Sequence, residues 1–120
     1  LSYMFQEDRL FPNLTVIENV KLAQSGEFSA EEMLEELGLY DERESYPDEL
    51  SGGMKRRTAL IRALLAPSQN IILDEPFTGL DDIMKFKAIS LITRICKSKT
   101  LLISTHDDTE RAFCDENITI

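Results

Sequence analysis

The spacing of apolar and polar positions changes near residue 66, from helical periodicity to short continuous apolar runs. The opening Leu1-Ser2-Tyr3-Met4-Phe5 reads as a strand entered in midstream, and Gln6-Glu7-Asp8-Arg9 as a polar loop after it. Pro12-Asn13 signals a turn, and Thr15 with Glu18 forms a capping box for a helix through Ala23. A second box, Ser29 with Glu32, opens a helix with Met33, Leu34 and Leu37 on one face, Gly38 as its left-handed stop and Leu39 beyond. The charged connection Asp41 to Glu49 leads into a third helix, from near Ser51 to Leu65, which Pro67 ends. Residues 12–65 therefore read as mostly helical.

Beyond that point, Asn70 to Leu73 and Thr100 to Ser104 are apolar runs of a length that suits buried parallel strands. Between them Ile83, Phe86, Ile89 and Ile92 or Thr93 recur at helical spacing, with Asp81-Asp82 as cap candidates. Strand, helix, strand predicts a parallel crossover and an α/β fold. The tail repeats the theme weakly, with a helix near Asp108 to Phe113 and a strand at Asn117 to Ile120.

Composition narrows the classes. A chain of 120 residues, 42% hydrophobic and 29% charged, is long enough for one domain with a core. A formal net charge of -9 argues against a nucleic-acid partner, because such modules carry a basic face that exchanges counterions with phosphate. The basic cluster Lys55-Arg56-Arg57, joined by Arg62, reads as a solvated helix face. Cys96 and Cys114 sit at neither a metal nor a dense disulfide spacing, so reduced thiols are expected. No apolar run approaches the ~20 residues that span a bilayer, so any membrane connection is expected through a partner protein.

Four segments carry candidate chemistry. Ser51-Gly52-Gly53 at a helix start can offer a hydroxyl and several N–H groups to an anion; its plainer reading is a helix cap. Asp74 and Glu75 end an apolar strand, so they emerge at the C-terminal edge of a sheet, where open α/β folds place ligands. There Asp74 can hold Mg²⁺ and Glu75 can take a proton from an attacking water. His106 leaves the next strand at the same edge and can hydrogen-bond a terminal phosphate. Gln6 follows a strand-like run, and its amide can ligate a metal or orient water. Each residue taken alone has an ordinary surface or turn explanation.

In order and approximate spacing these segments resemble the ATP-binding-cassette ATPase family over nearly the whole chain. Phe5-Gln6 is similar to the glutamine loop, Leu50-Ser51-Gly52-Gly53-Met54 to the signature motif, and Ile71-Ile72-Leu73-Asp74-Glu75 to the Walker B strand. Thr78-Gly79-Leu80-Asp81 resembles the aspartate loop, and Ser104-Thr105-His106-Asp107 the switch-histidine motif. The fold class implied is a partial P-loop NTPase domain with a helical signature subdomain (about 12–65) and a truncated parallel sheet, residues 1–11 and 66–120 belonging to the α/β core. Met54 stands where the family usually has glutamine. The chain holds no Gly-x-x-x-x-Gly-Lys-Ser/Thr loop and begins with Leu1, which together predict the later part of a larger catalytic domain.

The resemblance implies roles. Asp74 would help hold Mg²⁺, Glu75 would be the general base, and His106 and Gln6 would contact the γ-phosphate and its water. Ser51, Gly52 and Gly53 would meet ATP held by a second cassette in a head-to-tail dimer, with Asp81 coupling across the interface. About forty residues separate Gln6 from Leu50, too few for the coiled-coil arms of chromosome-maintenance relatives. The loop Phe5 to Pro12 is similar to that of bacterial importer ATPases of the nitrate, sulfonate and taurine group. An ATPase bound to transmembrane permease subunits at the cytoplasmic face of the membrane is the expectation. A soluble non-transport cassette protein and a non-enzymatic docking fragment remain open alternatives.

Overall fold

The computed structural model describes residues 1–22, 24 and 28–107. The expected tail helix and strand, Cys114 and Ala23 lie outside the described residues. A three-stranded parallel sheet has β1 (Ser2–Met4) and β3 (Thr100–Ser104) on either side of β2 (Asn70–Asp74). The register sets Met4 opposite Leu73, and Asp74 opposite Ser104. The chain therefore leaves all three strands at one edge, at Phe5, Glu75 and Thr105.

Local chemistry explains the helices. α1 (Val16–Lys21) begins with the predicted reciprocal box, in which Thr15 Oγ1 accepts the Glu18 N–H and Glu18 Oε1 accepts the Thr15 N–H. These bonds hold the Glu18 carboxyl below its ordinary pKa. Their contribution is therefore complete above the usual carboxylate range and is lost as pH falls through the lowered value. α2 (Ala30–Glu36) has half of its expected box: Ser29 Oγ accepts the Glu32 N–H, while its hydroxyl faces Glu31. Gly38, at φ 71°, turns the chain out of α2, and the Leu39 N–H closes on the Leu34 carbonyl at 2.7 Å.

The connection that follows is ordered by two 3₁₀ turns, Tyr40–Glu42 and Pro47–Glu49. Its Arg43 and Ser45 carbonyls receive the Ile17 and Val16 N–H groups, so it also satisfies the first turn of α1. Buried Asn19 does the same for the preceding loop: it accepts from the Phe11 N–H and donates to the Phe11, Leu14 and Thr15 carbonyls. α3 (Gly52–Leu65) is capped by Ser51 and packs on α1, α2 and both β1 and β2. Ala66 is extended ahead of Pro67, as steric conflict with a following proline ring requires.

α4 (Asp82–Ile95) is where the sequence reading needs correction. Asp81 caps it as expected, but the face turned to the core carries Ala88, Leu91, Ile92 and Ile95. Ile83 and Phe86 are 71% and 74% exposed. Both sets satisfy a helical period and share Ile92, and Ile89 packs against the core, so the buried face is the predicted one rotated toward Ala88. Sheet exposure is also visible at Tyr3 and Leu102, on the two outer strands. No helix among the described residues is long and apolar enough to cross a membrane. Cys96 is buried and its thiol pKa is raised by that burial.

The packing leads to a paired test. Leu60 in α3 is fully buried, so Leu60→Ala should lower the unfolding free energy by about 3 kcal/mol. Phe86→Ala should change it by less than about 0.5 kcal/mol, as an exposed site. Urea denaturation of the two variants measures both, and similar losses would show that the α4 face is assigned wrongly.

Candidate active site

The C-terminal edge of the sheet collects the residues singled out by their position after apolar runs. Glu75 directly follows β2 and adopts φ 50°, in the left-handed region. For a residue with a Cβ this costs on the order of 1–2 kcal/mol. Its backbone is held on both sides: the N–H donates to the Ser104 carbonyl at 2.9 Å, and the carbonyl accepts from Arg56 Nε at 3.1 Å and Nη2 at 2.6 Å. Hydrogen bonds to a charged donor contribute about 1.5–3 kcal/mol each, enough to offset the strain.

The carboxylate of Glu75 is 15% exposed, and His106 Nε2 lies 3.2 Å from its Oε1. That approach lacks the alignment of a hydrogen bond, so Oε1 is a buried oxygen without an accepted proton. The His106 ring is 94% exposed, touching the site only at its tip. The arrangement is an acceptor oxygen in a sheltered position beside an imidazole that is open to solvent.

Arg56 organises this edge. It is 4% exposed and reaches from α3 to the ends of two strands. Nη1 donates to the Phe5 carbonyl at 2.6 Å and to Asp8 Oδ1 at 3.1 Å; Nη2 also donates to the Asp74 carbonyl. The reading of the basic cluster as a solvated face is therefore corrected. Arg57 donates to the Gly53 and Leu37 carbonyls, and Arg62 to the Asp8 and Arg9 carbonyls. Burial lowers the pKa of both, opposed by Asp81 for Arg57 and by Asp8 for Arg62. A signal for Arg56 was present in the sequence: it shares a helical face with Ala59, Leu60 and Ala63, all buried. Its charge and two basic neighbours outweighed that periodicity.

The other predicted residues occupy separate places. Gln6, next to the Arg56-bound Phe5, is exposed and makes no hydrogen bond to Glu75 or His106. Asp74 is the last residue of β2 and half-buried. The Ser51 hydroxyl accepts the Met54 N–H at 3.2 Å, the plain capping role, and Ser51 and Gly52 are exposed. Gly53 is tight: a Cβ there would stand 3.2 Å from the Gly79 carbonyl, so the start of α3 packs on the Phe77–Leu80 turn. At Gly52 a Cβ would meet nothing within 4 Å. Asp81 Oδ1 accepts the Met84 N–H at 2.8 Å as the cap of α4.

The ABC transporter family pattern matches residues 1–78. This chain belongs to the ABC transporter ATPase family. Among curated ABC relatives, a thiamine import ATP-binding protein, ThiQ of Haemophilus influenzae, is 39% identical over 92% of this chain and 56% of its own length. An aliphatic sulfonates import ATP-binding protein, SsuB 1 of Paracoccus denitrificans, is 36% identical over 100% of this chain and 52% of its own length. The chain thus spans about half the length of the curated relatives it matches. Among solved structures, the dimeric bacterial ABC transporter cassette MJ0796 superposes with TM-score 0.75 at 32% identity, over 91% of this chain and 53% of that one. An ATP-binding subunit of an ABC transporter gives TM-score 0.82 at 28% identity, over 95% of this chain and 52% of that one.

The α/β fold with a short parallel sheet is thus that of ABC cassettes. The left-handed backbone at Glu75 yields a test independent of activity. Glu75→Gly should be more stable than Glu75→Ala by about 1 kcal/mol, because glycine has no Cβ to strain. Thermal or urea unfolding of the two variants measures this, and an alanine variant as stable as the glycine one would exclude the strain.

Proposed function

We propose that this chain is part of the ATP-hydrolysing subunit of a bacterial importer, with Glu75 as the general base. The observation that carries the reading is the buried Glu75 Oε1, free of a hydrogen bond and facing His106 at the sheet edge. A sheltered acceptor without a donor suits a water molecule whose proton it can take. In the step we propose, that water attacks the γ-phosphorus of ATP while its proton passes to Glu75. The bond from phosphorus to the β–γ bridging oxygen breaks, giving ADP and phosphate. His106 Nε2 would donate to a γ-phosphate oxygen, and the Gln6 amide would orient the water.

Mg²⁺ suits the donor set at Asp74. This hard cation is usually held by one or two carboxylates together with phosphate oxygens and waters. Among the described residues no group of three or more His, Cys, Asp or Glu could hold a metal ion. Asp74, with Gln6, would hold it, and when bound it would neutralise developing charge on the phosphates.

Ser51, Gly52 and Gly53 would act on ATP held by a second cassette, packed head to tail. The open space at Gly52 supports an approach from outside the chain, and one solved relative is described as a dimer. Asp81, at the turn against which Gly53 packs, would couple the two halves. The mainly helical residues 12–65 would form the signature-bearing subdomain, and the loop after β1 with its neighbouring helices would meet transmembrane permease subunits. The protein would then sit at the cytoplasmic face of the membrane, held there by the permease. The similarity to thiamine and sulfonate import proteins supports import as the direction.

Glu75→Gln in the full-length protein should abolish steady ATP turnover and leave Mg-ATP binding in place. Phosphate release and nucleotide titration read the two quantities, and unchanged turnover would contradict the assignment.

A further inference from the structure

We propose that Arg56 is a positioning residue for catalysis, one that sets the Glu75 carboxylate and ties it to the loop bearing Gln6. The inference rests on the reading of Glu75 as the base and adds a residue that reading does not contain. One guanidinium bonds the carbonyls of Phe5, Asp74 and Glu75 and the carboxylate of Asp8, so the two loops that flank the candidate site share a single buried anchor.

Geometry gives the anchor its consequence. A left-handed residue at the end of a strand sends its side chain in a direction that the extended backbone would not. Glu75 reaches the sheltered place beside His106 from that conformation, and the conformation is secured by the fork of Arg56 Nε and Nη2 on its carbonyl. The third arm, Nη1, holds the Phe5 carbonyl immediately before Gln6, with Asp8 as its counter-charge. Arg56 also lies one helical turn beyond Gly53, on the helix that begins at the Ser51-Gly52-Gly53 segment. A small rotation of α3 would therefore move the Gln6 loop and the Glu75 backbone together.

Lysine at position 56 keeps the positive charge beside Asp8 but cannot reproduce a planar fork, since its ammonium is a single point of donation. Arg56→Lys in the full-length protein should lower kcat for ATP hydrolysis at least tenfold and leave KM within about twofold. Asp8→Asn, which keeps the backbone anchors, should lower kcat less than threefold.

A double-mutant cycle on unfolding supplies the second readout and does not depend on activity. The drop in unfolding midpoint caused by Arg56→Lys should be larger in the Glu75→Gly background, because in the parent loss of the fork lets Glu75 relax and part of the cost returns as relieved strain, which glycine does not carry. A kcat for Arg56→Lys within twofold of the parent, with Glu75→Gln inactive, overturns the role of Arg56 alone. Turnover retained by Glu75→Gln overturns the underlying reading instead. An equal midpoint drop in both backgrounds also overturns the proposal, and if the Arg56→Lys protein is too unstable for kinetics, this cycle decides.

Discussion

A buried guanidinium surrounded by backbone carbonyls is the constraint on which this edge of the molecule depends. Moving an unpaired charge out of water is expensive, and Arg56 is accommodated because every direction in which it points offers an oxygen. The dependence runs both ways. Carbonyls at the ends of parallel strands have no further ladder partner, and those of Phe5, Asp74 and Glu75 are satisfied by this one side chain. The helix therefore does more than cover the sheet: it completes the backbone hydrogen bonding where the candidate chemistry sits.

That arrangement links local and global features of the chain. Register places three loops at one edge, the turn after β2 needs a strained residue, and α3 supplies the donor that makes the strain tolerable. The same helix begins with Ser51-Gly52-Gly53 and touches the Gly79 turn so closely that Gly53 can carry no side chain without displacement. Arg57 and Arg62 extend the scheme, tying α3 to the end of α2 and to the loop after β1. Four apparently unrelated sequence segments thus converge on one helix.

The sequence made the strand ends legible because apolar runs bounded by polar residues mark both where a strand stops and where its edge lies. Glu75 and His106 were found in that way, and the structure brings them within 3.2 Å. The Thr15–Glu18 capping box, the Ser29 half-box and Gly38 were legible because their chemistry is local, involving residues three or four apart. Arg56 was missed because its partners are 18 to 51 residues away, where no short-range pattern reports them. The face of α4 was misread in part because Ile83 and Phe86 are large and keep the helical period, yet the buried face is the one carrying Ala88, Leu91, Ile92 and Ile95.

Membership in the ABC transporter ATPase family gives the site a chemical context, and the paired residues at the sheet edge give that context a test. The most direct measurement is a structure of the full-length protein with Mg²⁺ and a non-hydrolysable ATP analogue. The account predicts the γ-phosphate bridging two copies, with Ser51 Oγ of one and His106 Nε2 of the other in hydrogen-bond contact, and Glu75 still left-handed beneath the attacking water. A nucleotide contacted by Ser51 and His106 of the same copy, or one bound away from Glu75, would contradict it.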